Sequence, residues 1–195
     1  MASEDLRAEK ARLRIECEAR RTAVHAAGAA AAAAAIANRG LAFLPGRHGR
    51  TASGFHSMGS EIDTRPLLER LAGGGWKLAL PVVVGKGQPL VFRAWLPGDA
   101  LGRGVWGIRE PLPSAAEVRP DVVLAPLLAF DARGHRLGYG GGFYDRTLAA
   151  LRRAGPVVVV GLAFDEQELA DVPVADYDQR LDWVLTPSGA RQFEG

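Results

Sequence analysis

Asp121-Val-Val-Leu-Ala-Pro-Leu-Leu-Ala-Phe130, Arg136-Leu-Gly-Tyr-Gly-Gly-Gly-Phe-Tyr-Asp-Arg146, Thr147-Leu-Ala-Ala-Leu-Arg-Arg-Ala154 and Val157-Val-Val-Val-Gly-Leu-Ala163 follow one another in the chain. In order they predict a buried strand, a glycine loop, a helix and a second buried strand. Continuous apolar runs such as the first and last suit parallel strands covered on both faces. The β-loop-α-β order therefore predicts an α/β fold. The expected form is an open, mostly parallel sheet flanked by helices, a Rossmann-like three-layer sandwich, with a long N-terminal helix. Ligands of such sheets bind beyond the carboxyl ends of the strands, and the glycine loop falls there.

Within residues 138–142 of the loop, four of five positions are glycine. A backbone without Cβ atoms lets a ligand approach closely. Its N–H groups and the positive end of the following helix suit a phosphate. Arg136 and Arg146 flank the loop and offer bidentate donors. Asp145 falls in the first helical turn, where an acid either caps the backbone or holds a divalent cation. The loop matches neither common phosphate frame. G-x-x-x-x-G-K-[ST] is absent, and G-x-G-x-x-G started at Gly138 meets Phe143 where its last glycine belongs. A tight turn of small residues is the alternative reading.

A length of 195 residues suits one domain, 1–195, with residues 1–38 as a helical segment packed on it. The net charge of +2 gives no argument for nucleic acid or an acidic membrane as partner. A single cysteine, Cys17, excludes an internal disulfide framework and a cysteine-based zinc site, and fits a reducing cytoplasm. The run Ala26–Ala37 is too short to span a bilayer and too far from the start for a signal peptide.

Outward from the central stretches, residues 3–38 predict the longest helix. Ser3 is its expected N-cap, Glu4 and Asp5 suit its first turn, and seven alanines fill 29–35. A break at Gly28 would divide it in two. Lys10 and Arg14 stand four apart on one face. By themselves they read as part of a solvated basic face with Arg7, Arg12, Arg20 and Arg21. Leu41–Leu44 is expected as a short strand ended by Pro45-Gly46, and 47–59, with His48 and His56, as a loop. Thr64 with Pro66 predicts a helix start. Strands are expected at 77–84, 90–95 and 181–185, and loops at 97–120 and 164–175, the second with a turn of helix.

The chain resembles the 5-formyltetrahydrofolate cyclo-ligase family (methenyltetrahydrofolate synthetases). Arg136-Leu-Gly-Tyr-Gly-Gly-Gly-Phe-Tyr-Asp-Arg146 looks like the family's R-L-G-x-G-x-G-Y-Y-D loop. Lys10-Ala-Arg-Leu-Arg14 looks like its K-x-x-L-R signature. Ser57-Met-Gly-Ser-Glu-Ile-Asp-Thr64 is similar to the segment around its substrate glutamate. Gly107-Ile-Arg-Glu-Pro111 is similar to a G-I-x-E-P element. Val172-Pro-Val-Ala-Asp-Tyr-Asp178, followed by Leu181-Asp-Trp-Val-Leu185, is similar to a C-terminal P-x-x-x-x-D element.

The resemblance implies an ATP- and Mg2+-dependent closure of 5-formyltetrahydrofolate to 5,10-methenyltetrahydrofolate, by a monomer acting on reduced folate and ATP. It implies that Lys10, Arg14, Arg136, Leu137, Gly138, Tyr139, Gly140, Gly141, Gly142, Phe143 and Tyr144 hold ATP. His56, Glu61 and Tyr139 to Phe143 would meet the folate, and Asp145 and Asp178 would hold magnesium. Lys10, Arg136 and Asp145 are the implied catalytic residues. The departure is Phe143, which stands where the family loop has its first tyrosine. Two other readings remain: a non-catalytic nucleotide- or folate-binding module on the same scaffold, and a sugar-phosphate isomerase or CoA-transferase-like enzyme. The two acids argue against the first, and Lys10-x-x-x-Arg14 against the second.

Overall fold

A computed structural model describes residues 2–44 and 49–194. In chain order it contains α1 (Ala2–Arg39), β1 (Thr51–Ser53), α2 (Arg65–Gly73), β2 (Lys77–Val82), β3 (Val91–Ala94), β4 (Leu101–Arg103) and β5 (Arg109–Pro111). Then come β6 (Val122–Ala125), β7 (Ala129–Asp131), β8 (Arg136–Leu137), α3 (Phe143–Ala154), β9 (Val158–Leu162), β10 (Glu168–Leu169), β11 (Trp183–Leu185) and β12 (Ala190–Gln192).

The main sheet has the order β12-β11-β9-β6-β1-β2-β3. Its inner strands β11, β9, β6, β1 and β2 are parallel neighbours. The edge strands β12 and β3 pair antiparallel. Alternate residues of the inner strands feed opposite cores. Val122 and Leu124 of β6 pack with Ile36 of α1 and Leu67, Leu68 and Leu71 of α2. Val123 and Ala125 pack on the other face with Leu148 of α3 and Phe130. A strand buried on both faces has no polar side to show, and this explains the continuous apolar runs. The expected three-layer α/β sandwich is present, and the β6-loop-α3-β9 unit is its centre.

Gly28 leaves helical dihedrals (φ −167°, ψ 28°), so α1 is two helices joined at that residue. The second half packs on the sheet through Ala32, Ile36 and Ala37. The first half lays Leu13 and Cys17 on Leu128, Ala129 and Leu137, beneath the glycine loop. The helix begins at Ala2, ahead of Ser3.

Several expectations are corrected. Leu41–Leu44 is a turn with Leu41 and Leu44 buried, not a strand. Pro45, Gly46, Arg47 and His48 lie outside the described residues. Thr51–Ser53, expected as loop, is β1, set between β2 and β6. Its residues are small, so no apolar run announces it, yet Ala52 and Ser53 are fully buried. The helix α2 starts directly after Thr64 with Pro66 in its first turn, as expected, but the Thr64 side chain does not cap it. Its hydroxyl donates to the Phe55 carbonyl at 2.6 Å and so ties the β1–α2 connection. Residues 97–120 carry the antiparallel pair β4–β5 around a 3-10 turn at Val105–Gly107. The apolar run 121–130 is two strands. Pro126 has no N–H to continue a ladder, and the chain leaves the main sheet to form β7, paired with β8 and β10. The bared carbonyls of Leu127 and Leu128 accept from Gln167 Nε2 at 2.8 and 3.1 Å. The glycine loop therefore issues from β8, not directly from β6.

Candidate active site

β8 ends at Leu137, and α3 begins at Phe143. Between them Gly140 (φ 92°) and Gly142 (φ 65°) take left-handed conformations that glycine adopts at little cost. Gly142 is the N-cap of α3 and supplies no side-chain cap, so the first N–H groups of the helix face the loop. A Cβ at Gly140 would fall 3.1 Å from the Arg14 guanidinium carbon. Arg14 Nε donates to the Gly138 carbonyl at 2.9 Å. The cation from α1 thus braces the loop as well as charging it.

Further charges gather on the same loop. Arg136 Nη2 donates to Asp145 Oδ1 at 2.6 Å, and its guanidinium lies 5.8 Å from the Tyr144 ring centre. Arg146 donates to the Gly141 carbonyl at 2.8 Å and lies over the Phe143 ring. The Nε atoms of Arg136 and Arg146 are buried without a partner among the described residues. Lys10, only 8 % exposed, ion-pairs with Asp178. The backbone N–H of Gln179 donates to Asp145 Oδ1 at 3.1 Å, which draws the 178–179 turn onto the start of α3. Asp145 engages its partners through Oδ1 and Asp178 through Oδ2.

The connection after β1 supplies Glu61, which is 7 % exposed. Its Oε2 accepts from the Met58 N–H at 2.8 Å. Its Oε1 accepts from the Tyr139 hydroxyl at 2.5 Å. That hydroxyl in turn accepts from Arg21 Nη1 at 2.6 Å. Burial pushes the Glu61 carboxyl above the usual carboxylate range, against the pull of Tyr139, Met58 and Arg21. Burial and the adjacent Glu61 carboxylate also raise the Tyr139 phenol. Tyr139 is thus a donor at neutral pH and links the glycine loop to the acid. Burial, with Arg109 and Arg65 nearby, holds His56 below the usual histidine value.

Every residue singled out from the sequence as a site residue lines one cavity of about 1060 Å³. Lys10 and Arg14 come from α1, His56 and Glu61 from the β1–α2 connection, Arg136 to Asp145 from the loop and α3, and Asp178 from the segment before β11. Phe55, Pro81, Val83, Leu90 and Ile108 add an apolar wall. The cavity opens where β1, β2 and β6 end, as expected for an open parallel sheet.

Among the lining residues that sequence reasoning missed, three carry polar groups with defined contacts. Arg21, 2 % exposed, holds Tyr139. It stands seven residues after Arg14 and eleven after Lys10, spacings that return to one face of a 3.6-residue helix. With Cys17 buried on that same stripe, this was the available signal. Glu110, on β5, is 7 % exposed and accepts from the Val83 N–H at 3.1 Å. It lay inside the G-I-x-E-P element without a role. Tyr177, whose ring lies 5.9 Å from the Lys10 ammonium, had no local signal.

Fold and cavity together define an α/β ligand-binding domain with a cationic glycine loop facing a buried acid. The model of the 5-formyltetrahydrofolate cyclo-ligase family matches residues 6–187. A 5-formyltetrahydrofolate cyclo-ligase from Escherichia coli is 38 % identical over 158 residues, covering 78 % of this chain and 86 % of that protein. One from Mycolicibacterium smegmatis is 36 % identical over 147 residues, covering 71 % and 74 %. The solved structure of Aquifex aeolicus 5,10-methenyltetrahydrofolate synthetase matches with a TM-score of 0.68 and 27 % identity, covering 100 % of this chain and 94 % of that one. The chain belongs to the 5-formyltetrahydrofolate cyclo-ligase family.

Proposed function

We propose that this chain closes 5-formyltetrahydrofolate to 5,10-methenyltetrahydrofolate at the expense of ATP, with Mg2+ as the metal. The carrying observation is that a cationic glycine loop and a buried, donor-seeking acid share one cavity and are joined by Tyr139. The reaction needs two ligands side by side. The formyl oxygen is a poor leaving group until phosphorylated. N10 then attacks the formyl carbon and loses its proton, and phosphate departs. Most of the work for the protein is positioning and charge neutralisation.

The residues suit those tasks. Lys10, Arg14 and Arg136, with the bare backbone of 138–142, would bind the triphosphate. The partnerless Nε groups of Arg136 and Arg146 are donors of the kind that an added anion satisfies. Asp145 and Asp178 would hold the metal, each with one oxygen clear of protein partners among the described residues. Two carboxylates are a typical protein share for Mg2+, which takes its other ligands from water and phosphate. Bound there, Mg2+ would neutralise phosphate charge. Glu61 would accept N–H groups of the pterin, with His56 beside it and Phe55, Pro81 and Leu90 against the ring faces.

The test is a mixture of protein, 5-formyltetrahydrofolate, ATP and Mg2+. Methenyl product, seen by its near-ultraviolet absorbance, is expected in step with ADP. Absence of ATP-dependent product would overturn the reading.

A further inference from the structure

Three acids of the cavity have donor side chains beside them: Asp145 faces Arg136, Asp178 faces Lys10, and Glu61 receives the Tyr139 hydroxyl. Glu110 does not. It lies on β5, which packs against β2, and its side chain lines the same cavity as Glu61. Its Oε1 accepts one backbone hydrogen bond, from Val83 at 3.1 Å, and among the described residues no cation pairs with it. It is nevertheless more than nine-tenths buried.

Gly104 gives this carboxyl its room. A Cβ at Gly104 would fall 2.1 Å from the Glu110 carboxyl carbon, so no other residue fits at 104 without moving the acid. The Gly104 dihedrals (φ −86°, ψ −163°) are open to any residue. What glycine offers at this position is room, not backbone freedom. A buried carboxylate with a single neutral donor is expensive to hold, and the cost falls when further donors arrive. Arg103 and Arg109 flank it in the β4–β5 register but form no ion pair with it.

We propose that Glu110 is a second folate-binding acid, accepting N–H hydrogen bonds from the pterin through Oε2, the oxygen that Val83 leaves free. Together with Glu61 it orients a donor-rich, reduced ring along the apolar wall of Pro81, Val83 and Ile108. The inference rests on the folate reading above and assigns a residue to it.

Two variants separate this role from a structural one. Glu110→Gln keeps the size of the side chain and an acceptor for Val83, but turns the second oxygen from an acceptor into a donor. Glu110→Leu removes both. Equilibrium titration with 5-formyltetrahydrofolate should show binding weakened roughly three- to tenfold in the glutamine variant and roughly ten- to hundredfold in the leucine variant. ATP affinity and the glutamine variant's Tm should stay at wild-type values. Wild-type folate affinity in Glu110→Gln would overturn the proposal. So would parallel losses of folate and ATP affinity with a lowered Tm, the mark of a residue that only holds β2 to β5. Wild-type protein that binds no folate would instead refute the functional reading on which the inference stands.

Discussion

At the glycine loop each acid has a base beside it: Arg136 on Asp145, Lys10 on Asp178. At the wall built from residues 55–61, β2 and β5, the acids Glu61 and Glu110 are buried and form no ion pair among the described residues. The loop end pairs both its acids with bases and leaves Arg14 and Arg146 on backbone carbonyls, so it keeps a cationic surplus for an incoming anion. At the wall end Glu61 has two neutral donors and Glu110 one, with no cation paired to either among the described residues, so a ligand bearing N–H groups relieves a standing cost. The same cavity therefore favours two chemically opposite ligands, and Tyr139 touches both ends.

Removing an acid at the loop end should have the largest effect. Asp145→Ala is expected to lower kcat on the order of a thousandfold, since metal-type charge stabilisation is worth several kcal/mol. The circular dichroism spectrum should be unchanged; near-normal turnover would break the assignment of that end. At the wall end, Glu61→Gln should raise the KM for 5-formyltetrahydrofolate roughly tenfold or more and leave the KM for ATP alone. Tyr139→Phe cuts the link between the ends. A roughly fivefold loss in kcat/KM is expected, from one hydrogen bond to a charged group. Phe143→Tyr restores the phenol of the family loop. Its aromatic face toward Arg146 is kept, so steady-state constants should move by no more than about twofold.

The pH dependence sharpens the same contrast. Burial raises the Glu61 pKa in the folded chain above its unfolded value. Its contribution to stability is then fully present below the unfolded pKa, roughly 4.3, and is lost as pH rises through the folded value. Glu61→Gln should therefore melt at or above the wild-type Tm at neutral pH, with the difference vanishing in acid. Folate affinity should run the other way, falling as acid protonates Glu61. Thermal melts and folate titrations across that range check both signs.

Much of this was legible in the sequence, and what was not has physical causes. β6, α3 and β9 were readable because strands buried on both faces must be apolar throughout, and α3 has a marked polar side. β1 was not readable. Its three residues are short and small, and only its neighbours β2 and β6 make Thr51–Ser53 a strand. The break at Pro126 is a local rule that the apolar run concealed. At the candidate site, Lys10, Arg14, Glu61, Asp145 and Asp178 were singled out through motif resemblance, and the fold brings them to one cavity. Glu110 and Arg21 act through distant partners, Val83 and Tyr139, and no spacing in the chain displays those contacts.

The central claim is that one cavity serves two ligands from two ends, and paired titrations test it most directly. ATP with Mg2+, and separately 5-formyltetrahydrofolate, would be titrated into wild type, Arg14→Ala and Glu61→Leu. The account predicts a crossed result: Arg14→Ala loses ATP affinity roughly tenfold with folate affinity kept, and Glu61→Leu does the reverse. Equal losses of both ligands in both variants, or no loss in either, would contradict it.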